Sequence, residues 1–222
     1  MNLVEAIRLR KSIRGYKPDP VSKEILKDIM DIAIRSPSGE NVQPWEITIV
    51  AGEELGRIGE TNVEMFKSGA TPFPEFAGKP YEGVYRQRVV DLAIQILQLM
   101  GISREDKEKR EEWMQRGLRF FDAPAGIVVS VDKSLDQLWT LMNIGALLQT
   151  ICLAALDYGL GTCIGGQGIM FPDVVRRFTG IPESKLIVIS ISIGYPDWDF
   201  PANKLETKRE PVDSVVTWCG FE

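Results

Sequence analysis

The sequence predicts a mixed α/β or α+β fold around one central sheet, and three observations carry that reading. Helical patterns come first, and strands then alternate with helices along the chain. The runs APAGIVVSVD and KLIVISISIGYP are apolar on both faces, as strands in the middle of a sheet are. Neighbouring strands are joined by stretches long enough for helical crossovers.

Taken in order, MNLVEAIRLRKSIR opens with Leu3, Val4 and Ile7 among charges, which marks a short amphipathic helix rather than a signal peptide. Residues 18–37 encode a second helix. Ser22 is its N-cap, Glu24 sits in its first turn, and Ile25, Ile29, Ile32 and Ala33 mark one face. Pro37 ends it. A loop leads to the strand WEITIVAG, ended by Gly52, and then to a helix over about 53–67. Residues 69–83 are rich in Pro, Gly and aromatics, the composition of an irregular functional lid. Helices follow at about 84–100 and 104–119. The strand APAGIVVSVD comes next, then a helix over 134–158 that is apolar nearly all round and therefore buried, in part by another subunit. Asn143 and Gln149 interrupt its apolar run, and Asp136 and Asp157 flank it, so it reads as a core helix and not a membrane span. A glycine-rich turn holds one possible short strand near Thr162. Pro172 starts a short helix to about Phe178, KLIVISISIGYP forms the last strand, and an irregular tail runs from Asp197.

Composition excludes several functions. Lys plus Arg is 26 against 31 Asp plus Glu, a net charge of −5, which argues against nucleic acid as a partner. There is no histidine, hence no Ser-His-Asp triad, no Cys-His pair and no histidine metal ligand. Hard chemistry in such a chain falls to a cofactor. Cys152, Cys163 and Cys219 are odd in number and lack CxxC spacing, which speaks for buried reduced thiols and a cytoplasmic protein, with no metal site.

Four constellations could carry function. Arg10-Lys11-Ser12-Ile13-Arg14, at the end of the first helix, sets cations and a hydroxyl as for a phosphate, or complements a helix dipole. Ser36-Pro37-Ser38-Gly39-Glu40-Asn41-Val42-Gln43-Pro44-Trp45 is a stiffened polar loop that can meet the edge of a flat heterocycle, or is a plain connector with Asx turns. Residues 159–168 hold five glycines, which let backbone N–H groups approach a ligand or simply make a tight return; they match neither the dinucleotide nor the Walker A motif. Asn203–Arg209 is a basic stretch that could cap a phosphate from a second direction, or is a solvated face.

Together, R10-K-S-I-R-G-Y16, A33-I-R-S-P-S-G-E-N-V-Q-P-W45, G159-L-G-T-C-I-G-G166 and the pair Lys208–Arg209 resemble the nitroreductase family of FMN-dependent oxidoreductases, from residue 4 to about 216. The segments KPYEGVYRQRVVDLA and MGISREDKEKREEWMQRGLRFFDAP are similar to a nitrobenzoate reductase-like subgroup. The resemblance implies a single α+β domain over 1–222, with a central mixed β-sheet flanked by helices and a long buried central helix. It also implies a lid or insert at about 68–120 and an extended tail from about 197. The subunits would form an intertwined homodimer with FMN at the interface.

The resemblance also distributes roles. Arg10 and Ser12 would meet the phosphate and ribityl chain, and Arg14 or Lys11 the pyrimidine edge. Pro37, Ser38, Asn41 and Gln43 would reach the flavin of the other subunit. Ile164, Gly165 and Gly166 would lay a backbone N–H near flavin N5, with Gln167 where many relatives are acidic. Arg209 with Lys208 would hold the phosphate. The implied activity is ping-pong: NADH or NADPH reduces FMN, which then reduces a nitroaromatic, quinone or similar small aromatic acceptor by two electrons, without a catalytic side chain. Phe73, Phe76, Tyr81 and Tyr85 could stack on that acceptor, and Arg86 and Arg88 could pair with its carboxylate or with cofactor phosphates. The same resemblance covers reductive dehalogenation, enone or ring reduction and flavin fragmentation. A non-catalytic FMN-binding protein is the alternative of another class.

Overall fold

The structure, a computed structural model, describes residues 1–76 and 78–221. Ala77, inside the expected lid, and Glu222, at the end of the tail, lie outside the described residues. The elements are α1 (Leu3–Leu9), α2 (Lys23–Ala33), β1 (Trp45–Ala51), α3 (Gly52–Lys67), α4 (Gly83–Leu99), α5 (Lys107–Leu118), β2 (Ala125–Asp132), α6 (Gln137–Asp157), β3 (Gly161–Gly165), α7 (Pro172–Thr179) and β4 (Lys185–Gly194).

The sheet runs β1-β2-β4-β3, with every adjacent pair antiparallel. The expected mixed sheet is therefore corrected for the four strands, and the parallel component is the isolated bridge of Ser12 to Thr162. The reason is topological. β2 and β3 are both antiparallel to β4, so they run parallel to each other, but β4 lies between them. The α6 crossover thus joins strands that never pair. The α+β class stands.

Two cores sandwich the sheet. Ile127, Val129 and Ile191 pack with Leu26 and Ile29 of α2 and with Ile144, Leu147 and Ile151 of α6. On the other face Val128 and Ile187 pack with Ile58 of α3 and Val175 of α7. Strand β2 is buried at every residue but its last, as its unbroken apolar run requires. Ser22 caps α2 by accepting from the Ile25 N–H at 3.3 Å. The inward face of α2 is Leu26, Ile29 and Ala33, while Ile32 is exposed.

Three expectations change. Helix α1 stops at Leu9, and Arg10–Arg14 continues extended, with the Ile13 N–H donating to Thr162 O at 2.9 Å. Burial of the β-branched Ile13 against β3 overrides helix continuation. Apart from Ala6, α1 buries nothing, so Leu3, Val4 and Ile7 form a bare apolar face. The long buried helix is buried on one stripe only. Leu138, Trp139 and Met142 of α6 are 70%, 66% and 62% exposed. By length and composition α6 could cross a membrane, and 33% of its most apolar window is buried within the chain.

The insert between α3 and β2 has two anchors. Glu75 accepts from Arg176 of α7 through both oxygens at 2.7 Å, and from the Ile187 N–H of β4 at 2.7 Å. Beyond it, Ile96 of α4 packs on Ala202 and Leu205 of the tail. The tail is thereby laid beside the Arg10–Arg14 segment.

Candidate functional site

The extended Arg10–Arg14 segment is fixed from behind by Asn203. Its Oδ1 accepts from the N–H groups of Arg14 at 2.7 Å and Gly15 at 3.2 Å. Its Nδ2 donates to Gly15 O and Asp197 O, both at 2.7 Å. Gly15 is required here, because a Cβ would lie 2.1 Å from the Phe200 ring. Gly161 is required for the same reason, since its Cβ would lie 2.5 Å from the Ile13 side chain. In front of this fixed backbone the charged side chains of Arg10, Lys11 and Arg14 are half-buried.

They face a cleft of about 580 Å³, which brings together the first and fourth constellations: Arg10, Lys11, Ser12 and Arg14 with Lys208 and Arg209. The opposite wall is α4, through Arg88, Asp91 and Gln95. Arg88 pairs with Glu210 at 2.9 Å. Among the described residues, none of Arg10, Lys11, Arg14, Lys208 and Arg209 has a carboxylate partner. Lys11 Nζ lies 3.5 Å from Leu205 O and over the Trp198 ring at 5.9 Å. Arg209 donates to Thr207 Oγ1 at 2.8 Å. Five unneutralised cations around one concave surface in an acidic protein demand an anion. The donor set fits a phosphate, and the volume lies in the ordinary range for a cofactor site, about 300–1,000 Å³.

The glycine-rich stretch is the edge strand β3 over 161–165, followed by a 3₁₀ turn at Gln167–Ile169, rather than a turn alone. The Ser12–Thr162 bridge sets it directly beside the cationic segment. A Cβ on Gly165 or Gly166 would meet nothing within 4 Å, so both open onto free space. Ile164 is partly exposed. Three of the four constellations thus have a place on or beside this edge of the sheet.

The loop 36–44 does not join them within the chain. It is anchored on α6: Ser36 Oγ donates to Thr150 Oγ1 at 2.7 Å, and Asn143 Oδ1 accepts from the Gly39 N–H at 3.2 Å. Ser38 Oγ accepts from the Gln43 N–H at 3.0 Å. Glu40, Asn41 and Gln43 all have positive φ (54°, 59° and 46°), a cost of about 1–3 kcal/mol each. Pro37, Asn41 and Gln43 are exposed, and Ser38 is half-buried. The loop is tied to α6 at Asn143, the residue after the exposed Met142.

The acceptor candidates are dispersed. Phe73, Tyr81, Tyr85 and Arg86 are exposed. Phe76 packs on the core, and Arg88 belongs to the cationic cleft. A second cleft, about 760 Å³, opens between α3, α4 and α5, with Phe66, Trp113 and Met114 in its walls and Gln167 at its edge. Its α5 residues were legible only as helix. Sequence reasoning also passes over Arg116. This residue pairs with Asp122 at 2.8 Å, donates to Arg14 O at 3.4 Å and lies 4.7 Å from the Phe200 ring centre, yet sits 102 residues from Arg14. Burial raises the thiol pKa values of Cys152 and Cys163, so both are inert, while Cys219 is exposed against expectation.

A model of the nitroreductase family matches residues 7–195. The 4-nitrobenzoate reductase of Nocardioides sp. (strain LMS-CY) is 32% identical over 217 residues, which span 96% of this chain and 87% of that protein. The nitrobenzene nitroreductase of Ectopseudomonas oleovorans is 32% identical over 218 residues, 96% and 95% of the two chains. The crystal structure of the FMN and NADPH-dependent nitroreductase NfnB from Sphigopyxis sp. strain HMH superposes with a TM-score of 0.94 at 27% identity, covering 100% of both chains.

Proposed function

The chain belongs to the nitroreductase family, and from that premise we propose that it is an FMN-dependent NAD(P)H oxidoreductase that reduces nitroaromatic acceptors. One observation carries the reading to these residues: five cations without carboxylate partners converge on one cleft from segments at opposite ends of the chain. Arg10, Lys208 and Arg209 would hold the phosphate, Ser12 and Lys11 the adjoining chain, and Arg14 the pyrimidine edge. Gly165 and Gly166 would leave room for the ring. Bound FMN supplies two-electron chemistry, taking reducing equivalents from NADH or NADPH and passing them to the acceptor. The protein binds, orients and excludes water, which suits a chain without histidine.

The site is completed by a second subunit. Pro37, Ser38, Asn41 and Gln43 sit on a strained loop bonded to α6 at Asn143, next to the exposed stripe of Leu138, Trp139, Leu141 and Met142. A homodimer would cover the stripe and deliver the loop to the partner's flavin. The hydrogen bonds of Asn143 and Thr150 on this flank of α6 fit a subunit contact better than lipid. Arg88 belongs with the cofactor phosphates. Phe73, Tyr81, Tyr85 and Arg86, on the exposed part of the insert, are the acceptor-facing candidates. The buried thiols Cys152 and Cys163 support a cytoplasmic protein.

Steady-state kinetics test the reaction. With NADPH and 4-nitrobenzoate varied together, double-reciprocal plots are expected to be parallel, the mark of two half-reactions sharing one site. Intersecting lines would point to a ternary complex, and an absence of turnover to a flavin carrier.

A further inference from the structure

We propose that Asn62 and Ser190 are positioning residues for the flavin: two buried side chains that grip the loop Gly165–Gly168 at its two ends and aim its backbone N–H groups. The inference rests on the flavin assignment above.

Ser190, on β4, is 3% exposed, and its Oγ donates to Gly165 O at 2.6 Å. That carbonyl shares one peptide plane with the Gly166 N–H. The described chain has no cis peptide bond, so the two groups point in opposite directions. Drawing the carbonyl in toward Ser190 therefore turns the Gly166 N–H away from Ser190, on a residue where a Cβ would also meet nothing within 4 Å. Among the described residues, no backbone carbonyl accepts from this N–H. A donor without a backbone acceptor, held in orientation by a buried hydroxyl, is preorganised for a ligand acceptor.

Asn62, on α3, is fully buried and holds the far end. Its Nδ2 donates to Gly168 O at 2.9 Å and to Leu118 O at 3.1 Å, while its Oδ1 has no partner. A buried amide with a bare oxygen burdens the core. What it gains is the pair of donations, which tie the loop to the last residue of α5, and so to the insert. Packing reinforces the grip. A Cβ on Gly168 would lie 2.6 Å from the Phe120 ring, and one on Gly117 would lie 2.1 Å from the Gln167 amide. The loop thus has little slack at its Gln167–Gly168 end, and a shift of α5 is passed to it through Asn62 and through the contact of Gly117 with Gln167.

The test uses Ser190→Ala, Ser190→Thr and Asn62→Ser. In the FMN-loaded protein we would measure the rate of flavin reduction at saturating NADPH, the flavin midpoint potential and the FMN dissociation constant. In the apoprotein we would measure the backbone N–H order parameters of Gly166 and Gln167 by NMR relaxation. Ser190→Ala is expected to slow reduction about tenfold, shift the potential, and lower the order parameter of the Gly166 N–H from the rigid-backbone range of about 0.85 to below about 0.6, with FMN affinity held within about threefold. Ser190→Thr should restore all of these, and Asn62→Ser should act in the same direction. A lower Tm with unchanged reduction rate, potential and order parameters would make both residues ordinary core and overturn the proposal. If Asn62→Ser does not fold, the Ala/Thr comparison at Ser190 decides. A wild-type protein that takes up no FMN would overturn the premise itself, a failure visible before any variant is made.

Discussion

Arg10→Ala combined with Arg209→Ala lowers FMN affinity by about a hundredfold or more and leaves the apoprotein no less stable. Each guanidinium on a phosphate forms charge-assisted hydrogen bonds worth about 1.5–3 kcal/mol, or roughly ten- to a hundredfold in affinity. The two residues approach the cleft from opposite ends of the chain, so one cannot replace the other's geometry. The stability half of the expectation is the more discriminating. Without a carboxylate partner, these cations repel one another in the empty cleft, and removing two relieves that repulsion. Had they been structural ion pairs, the double variant would melt earlier. FMN affinity of the wild type should also fall with ionic strength, through screening of the cleft. Arg8→Ala, on the exposed last turn of α1, is the control and should leave affinity unchanged. Fluorescence titration of apoprotein with FMN reads affinity, and thermal melts read stability.

The second large effect concerns assembly. If the proposed homodimer forms through this stripe, Trp139→Glu with Met142→Glu is expected to give a monomer that no longer retains FMN, while circular dichroism shows the helices intact. These side chains are 66% and 62% exposed within one chain. Burying each against a partner would contribute about 1.5–3 kcal/mol per subunit, and a carboxylate in its place would face desolvation instead. In the proposed dimer the variant would take the partner's Ser38, Asn41 and Gln43 away from each site without touching the cationic cleft. Sedimentation velocity and bound-flavin absorbance read the two results. A dimer that persists, or a monomer that binds FMN normally, would mean that this stripe is not the interface and that the loop is not a flavin contact.

How much of this was legible in the sequence differs from element to element. The strands 45–51, 125–132 and 185–194 stood out because apolar runs bounded by Gly, Pro or Asp admit few other states. The Ser22 cap was legible because its signal lies within three residues. The extended form of Arg10–Arg14 was not, since it depends on Thr162, 150 residues away, and a local pattern of Arg and Lys reads as helix. Strand order failed for the same reason. Crossover lengths report which strands are joined, but not that β4 settles between β2 and β3. In the site, the charged and glycine-rich clusters announced themselves by composition. Arg116, Asn62 and Ser190 did not, because one buried polar residue carries no pattern. Their roles arise only when Arg14, Gly168 and Gly165 are brought against them. The loop 36–44 was legible as polar and stiff, but its separation from the cleft within one chain was not.

The central claim is that the cationic cleft holds a flavin that nicotinamide nucleotides reduce. Its most direct test is the visible spectrum of the purified protein, reconstituted with FMN if needed, before and after anaerobic addition of NADPH and then NADH. The account predicts yellow flavin bands that bleach on addition of at least one of the two donors. A colourless protein that cannot take up FMN would contradict it and leave the five cations to another anion, while bound flavin that neither donor bleaches would contradict the proposed reaction.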